Sequence, residues 1–160
     1  DYALVKNNLF RVSLLPKIYK RQEIIPTTIT SKSHVNPYTP QKTVDGITSD
    51  NGTDAGRWKS DNGMPQWIQY EFSDIVYIEN IVVNVYVGES NSAGVPFCKM
   101  EYSIDGVNWY LKDWPNYVRH KWNRFSIRDN LKYFRFTILS VNEPTTNISF
   151  WEIDFYTYVP

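Results

Sequence analysis

The sequence holds one cysteine, Cys98, among 160 residues, so no internal disulfide can secure the fold, and packing or a bound ion must do so. Glycine is scarce at 7 residues, and neither an internal repeat nor a low-complexity segment is present. No excess charge of either sign exists. Lys and Arg number 17 and so do Asp and Glu, which argues against the broad phosphate-neutralising surface that a nucleic-acid binder needs and leaves only local basic patches open. No apolar run approaches the roughly 20 residues of a membrane-spanning helix, and no signal-peptide pattern opens the chain. Catalytic motifs are also missing. His34 and His120 are the only histidines, and there is no Gly-x-Ser-x-Gly elbow, phosphate loop or His-Glu-x-x-His. Some pair among the 17 acids could always lie close enough for glycoside hydrolysis, but acids in loops between strands are mostly solvated. Cys98 lies in an apolar stretch and reads as a small buried hydrophobe rather than a nucleophile. The chain is read as no enzyme.

Aromatic residues are abundant at 16%, with 12 Tyr, 8 Phe and 6 Trp. Such residues suit pleated surfaces and could equally form a binding face. The length allows one domain with a short attached segment. The opening residue is Asp1, so the chain reads as a processed or excised piece of something longer. Residues 1–26 carry apolar blocks without a clean period and a basic cluster at Lys17, Lys20 and Arg21, and are expected to be a linker or the remnant strand of a preceding domain. The domain proper is expected over 27–160.

Within that domain TTITSK at 27–32 is strand-like, and 45–63 is a long polar loop rich in Gly, Asn, Asp, Ser and Thr. QWIQYEF at 66–72 alternates, with Trp67, Gln69 and Glu71 on one side and Ile68, Tyr70 and Phe72 on the other. A further strand is expected over 75–87, and Asp105-Gly106 between 99–104 and 108–111 marks a hairpin, since it tolerates the positive φ of a tight turn. Strands at 124–127, 133–139 and 148–158 complete an all-β pattern without a convincing helix, which fits a sandwich or a barrel.

In chain order, Val44-Asp45-Gly46, Arg57-Trp58-Lys59-Ser60, PQWIQYEF at 65–72, YSIDGVNW at 102–109, Tyr133-Phe134-Arg135-Phe136 and WEIDFY at 151–156 resemble the discoidin family, the factor V/VIII type C fold. That family includes the galactose-binding-like carbohydrate-binding modules attached to bacterial glycoside hydrolases. The resemblance covers about residues 27–158 and implies an eight-stranded jelly-roll β-sandwich whose loops at one end hold a ligand, without catalysis. Animal members usually close the domain with terminal cysteines. Their absence here favours the bacterial type, secreted, periplasmic or on the cell surface, beside an upstream domain of the same parent chain. The function implied is a noncatalytic module that keeps a linked enzyme or surface protein on a glycan. Two alternatives share the fold: a protein or cell-surface adhesion domain, and a lipid-binding module with Val35, Val95 and Phe97 as apolar tips, to which the neutral charge gives little help.

The resemblance also implies a calcium ion held by Asp45, Asp50, Thr53 and Glu152. Calcium takes six to eight hard oxygens, and one ion would tie the polar loop to the last strand. The alternative is that Asp45 and Asp50 cap turns while Glu152 pairs with a basic residue. The loop between Asp45 and Trp58 is longer than in the simplest family pattern.

A sugar needs planar hydrogen-bonding side chains for its hydroxyls and an aromatic ring for its CH face. The loops at 34–41, 59–65, 88–97 and 141–147 offer His34, Asn36, Tyr38, Lys59, Asn62, Glu89, Asn91, Phe97 and Asn142. Galactose-binding members typically carry a histidine where this chain has Lys59 and an arginine in the loop where it has GESNSAG, 88–94. Either a different glycan is read, an acidic one that Lys59 could pair with, or the site has decayed and the domain only spaces its neighbours. Trp58, Trp67, Trp109 and Trp151 are expected in the core. Trp114 and Trp122 flank PNYVRHK, 115–121, and either form an aromatic-basic surface or cover the sandwich edge.

Overall fold

The computed structural model describes residues 19–50, 56–86, 96–117, 121–141 and 147–160. These form eight strands and one 3₁₀ turn: β1 (Lys20–Ile24), β2 (Thr28–Ser31), the turn Pro40–Val44, β3 (Trp58–Lys59), β4 (Gln66–Val85), β5 (Pro96–Ser103), β6 (Tyr110–Asp113), β7 (Trp122–Val141) and β8 (Ser149–Val159). All pairings are antiparallel. Residues 1–18 lie outside the description, as do four of the candidate site residues, Thr53, Glu89, Asn91 and Asn142.

The fold is built on β4 and β7, each 20 residues long and paired with the other in two stretches. Gln66–Glu71 lies between β2 and residues 133–138 of β7, whose other edge carries β5 and then β6; residues 80–84 lie between residues 122–126 and β8, which carries β1 and β3. Between the stretches the register slips twice, between Glu71 and Val76 and between Ile78 and Asn80. At the second slip β7 has two residues where β4 has one, a β-bulge that sharpens the bend. Arg128 sits in it at φ 54, and its Nε donates to Glu79 Oε1 at 3.0 Å across the bulge. The ribbon therefore folds over on itself into the two layers of an eight-stranded jelly-roll sandwich.

The inward face of β4 changes at this corner: Ile68, Tyr70, Phe72 and Ile78 are buried at even positions, and beyond the second slip Ile81, Val83 and Val85 are buried at odd ones. The sequence reads two strands with a break near Ser73–Asp74; the structure runs one strand through the corner, with those two residues exposed on its outside. The core closes on Phe155 of β8, whose ring lies 5.1 Å from Tyr70, 5.1 Å from Phe72 and 5.6 Å from Phe134 of the opposite layer.

β5 and β6 form the hairpin expected at Asp105-Gly106. Gly106 has φ +77, and a Cβ there would meet the Tyr133 ring at 3.3 Å. Asp105 accepts from the amides of Val107 and Asn108 at 2.9 and 2.8 Å, and these bonds hold its carboxyl well below the usual carboxylate range. Residues 20–24 pair with β8 as an edge strand, with Ile24 packed against the core. No helix among the described residues is long and apolar enough to cross a membrane.

Candidate functional site

Folding the ribbon gathers the ends of both layers at one rim. Main-chain bonds tie the loops there together: Lys32 N donates to Trp67 O (3.0 Å), Val35 N to Lys59 O (3.0 Å), Lys59 N to Tyr38 O (3.2 Å), Ser60 N to Ile148 O (2.9 Å) and Tyr86 N to Ser149 O (3.1 Å). Ser33 is a polar hub, giving its Oγ proton to Gln66 Oε1 at 2.8 Å and accepting from Asp61 N at 3.1 Å. Its carbonyl takes the indole N–H of the fully buried Trp58 at 3.0 Å. Trp58 thus anchors β3 inward, and strand alternation turns Lys59 outward.

Arg57, one residue earlier, is buried at 7% exposure. Its charge is met by Asp50, with Nε 3.0 Å from Oδ2, and Nη1 donates to Ser149 Oγ at 2.9 Å. The guanidinium carbon lies 4.0 Å from the Tyr86 centroid, 4.4 Å from Tyr38 and 5.8 Å from Trp151. Tyr86 meets Trp151 edge to face at 5.2 Å. An aromatic cage around one buried cation thus fixes the wall behind Tyr38. The sequence reading places Arg57 only in the family-like stretch Arg57-Trp58-Lys59-Ser60 and gives neither Arg57 nor Tyr86 a part in the site. The tryptophan next to Arg57 is the one local sign that its chain would be drawn inward.

Of the candidate ligand residues, His34, Asn36, Tyr38, Lys59 and Asn62 share this part of the rim; His34, Asn36 and Asn62 are exposed, Tyr38 and Lys59 half-buried. Val35–Tyr38 closes as a turn through Tyr38 N to Val35 O at 2.7 Å, with a cis Asn36–Pro37 peptide. Lys59 Nζ lies 5.9 Å from the Tyr38 centroid. Phe97 stands on the same rim at 56% exposure but on β5, separated from β2 by β7 and β4, or about 14 Å at three strand spacings. It stacks on Trp114 at 5.4 Å with 16° between the planes. Trp114 and Trp122 are exposed, Trp67, Trp109 and Trp151 half-buried, and Trp58 alone of the six is fully enclosed. Cys98 is buried, hydrogen-bonded to the Tyr117 hydroxyl at 3.3 Å, and burial pushes its thiol up to about 12.

The proposed calcium ligands divide. Glu152 is 4% exposed, and its Oε2 accepts from Gly46 N at 3.1 Å, which draws the loop after the 3₁₀ turn onto β8. Gly46 adopts φ +75 to do so. Burial first, then the neighbouring Asp154, Asp45 and Glu23 charges, against the Gly46 bond, push the Glu152 carboxyl up to about 8. Asp45 Oδ1 accepts from Ile47 N at 3.0 Å, and Oδ2 is 3.7 Å from Lys42. Asp50 is occupied by Arg57 and by the Gly56 amide at 3.2 Å. Among the described residues no three acidic, histidine or cysteine side chains converge as a metal-binding group.

The outline is shared with solved structures. The chain superimposes on the family 32 carbohydrate-binding module of Clostridium perfringens NanJ, solved with galactose, with a TM-score of 0.71 at 12% identity over 86% of this chain and 100% of that one. The corresponding module of AlyQ, solved with 4,5-unsaturated mannuronic acid, gives 0.68 at 16% identity over 84% and 97%. Against truncated AlyQ, which joins such a module to an alginate lyase domain, the values are 0.70, 15% and 89%; the chain spans about a third of that protein, 35%. No curated protein matches the sequence. The family model of the F5/8 type C domain matches residues 28–153, from β2 to the middle of β8; the chain belongs to the F5/8 type C domain family.

Proposed function

We propose that this domain is a noncatalytic carbohydrate-binding module that holds a linked enzyme or surface protein on a glycan. The observation that carries this is the pair of main-chain bonds joining Lys59 to Val35 and Tyr38. They unite two loops remote in sequence into one edge that presents an aromatic ring, an amine, an imidazole and two amides outward. Hydroxyl-rich ligands require such a mixture. Support comes also from the shared fold with modules solved with sugars. A secreted or surface setting, bacterial in type, and a neighbouring glycoside hydrolase in the parent chain accord with this role.

Single-site affinity is expected on the order of millimolar to micromolar, roughly 4 to 8 kcal/mol, with retention raised by multiple contacts. A glycan array with competition by free sugar, run beside Tyr38→Ala, tests the reading. Retention that free sugar reverses and that Tyr38→Ala weakens supports it. No retained glycan defeats it, and capture of surface proteins insensitive to sugar favours adhesion instead.

Calcium is proposed as a structural ion. Glu152 and Asp45 fit it, since Glu152 is a buried carboxylate among other carboxylates. Loop carbonyls would supply the remaining oxygens. Asp50, bound to Arg57, does not fit without releasing that partner. The ion would supply charge neutralisation and a tie between the loop and β8.

A further inference from the structure

Four cations lie between β2 and the end of β3, and their surroundings differ: Lys42 stands 3.7 Å from Asp45. Lys32 Nζ donates to Pro65 O at 2.7 Å. Arg57 is paired with Asp50. Lys59 has no oxygen partner among the described residues, although its backbone is bonded on both sides and its strand neighbour Trp58 is immovable in the core. Its Nζ stands against the Tyr38 ring, whose position is set by the buried Arg57 behind it. An uncompensated cation normally floats in solvent on a flexible stem. Here its base is fixed, the residue is partly buried, and the neighbouring groups are those suited to a sugar.

We propose that the rim selects a glycan bearing a ring carboxylate, a hexuronate or a sialate, and that Lys59 Nζ pairs with that carboxylate. This rests on the glycan-binding reading above and narrows it. An anionic polymer gains nothing from the molecule as a whole, because 17 basic and 17 acidic residues cancel. Preference for acid must therefore arise locally. A neutral sugar would leave the Lys59 charge partly desolvated and unpaired, whereas a carboxylate replaces the water it displaces.

Affinity electrophoresis of the intact chain in gels containing polygalacturonate, polymannuronate or fully methyl-esterified pectin separates the cases, with sialyllactose and lactose as soluble competitors. The expected result is retardation by at least one polyuronate, or competition by sialyllactose, that exceeds the neutral counterpart about tenfold and weakens with salt. Lys59→Gln should abolish that preference and Lys59→Arg retain it. Lys20→Gln, on β1, should leave it unchanged. Polyglutamate should not compete, since it offers carboxylates without a sugar ring. Equal binding of acidic and neutral forms, or a Lys59→Gln chain indistinguishable from the parent, overturns this proposal while the glycan reading stands. Absence of binding to every acidic and neutral glycan overturns both.

Discussion

The Arg57 guanidinium lies 4.4 Å from the centroid of the Tyr38 ring, which it backs from inside the sandwich rim. The same group binds Asp50 and Ser149, so one buried cation couples the polar loop, β8 and the candidate sugar-binding edge. Arg57→Ala leaves the Asp50 carboxylate without its cation and empties the cage. Breaking a fully buried pair costs about 3–5 kcal/mol, and the partial exposure of Asp50 reduces this to about 2 kcal/mol. Thermal denaturation should show a melting temperature lower by about 4–8 °C. An unchanged midpoint would mean that the cage carries no stability.

Glu101 gives a pH dependence of defined sign. Burial would raise its carboxyl, but hydrogen bonds from Lys99 at 2.6 Å and Thr137 at 2.8 Å, with the Arg135 and Lys99 charges, outweigh it and the folded pKa falls below 4.5. A depressed carboxyl stabilises the folded state above its unfolded pKa and loses that contribution as pH falls through the folded value. Urea titrations should therefore find Glu101→Gln less stable than the parent at pH 7, with the gap closing below about pH 4.5. A gap independent of pH would contradict the assignment.

Cys98 should be inert while the protein is folded. With its thiol pushed up to about 12 and its sulfur buried, a thiol-specific disulfide reagent at pH 8 should label nothing in the native protein and one site per chain in denaturant. Rapid native labelling would show that the rim above β5 opens.

Calcium in hundredfold excess over its dissociation constant should stabilise the domain by about 2.7 kcal/mol if it binds the folded state alone. Glu152→Gln should remove the rise in melting temperature produced by calcium and reversed by chelator. A rise unaffected by that change places the ion elsewhere, and no rise at all removes it from the domain.

Much of this architecture is legible in the sequence where one face is buried and the other wet. Ile68, Tyr70 and Phe72 alternate with Trp67, Gln69 and Glu71, and the structure keeps that order. Asp105-Gly106 gives its hairpin because the turn requires positive φ at the glycine. The corners are not legible. Ser73 and Asp74 look like a break, since polar residues outside a bend carry no trace of the pairing that continues through them. β1 is hidden for a related reason: it is exposed along most of its length, so no period marks it. At the rim, Tyr38 and Lys59 are foreseeable as loop polar groups, whereas Arg57 is not, because charge on a sequence reads as solvated and only the folded aromatic surroundings show it buried.

Amide NMR of the labelled chain titrated with galactose, galacturonate and sialyllactose tests the one-rim site most directly. Shifts should concentrate at residues 34–38 and 59–62, with the bend at 75–79 and the hairpin at 105–108 unmoved. Shifts confined to that bend or hairpin, or none with any sugar, would contradict it.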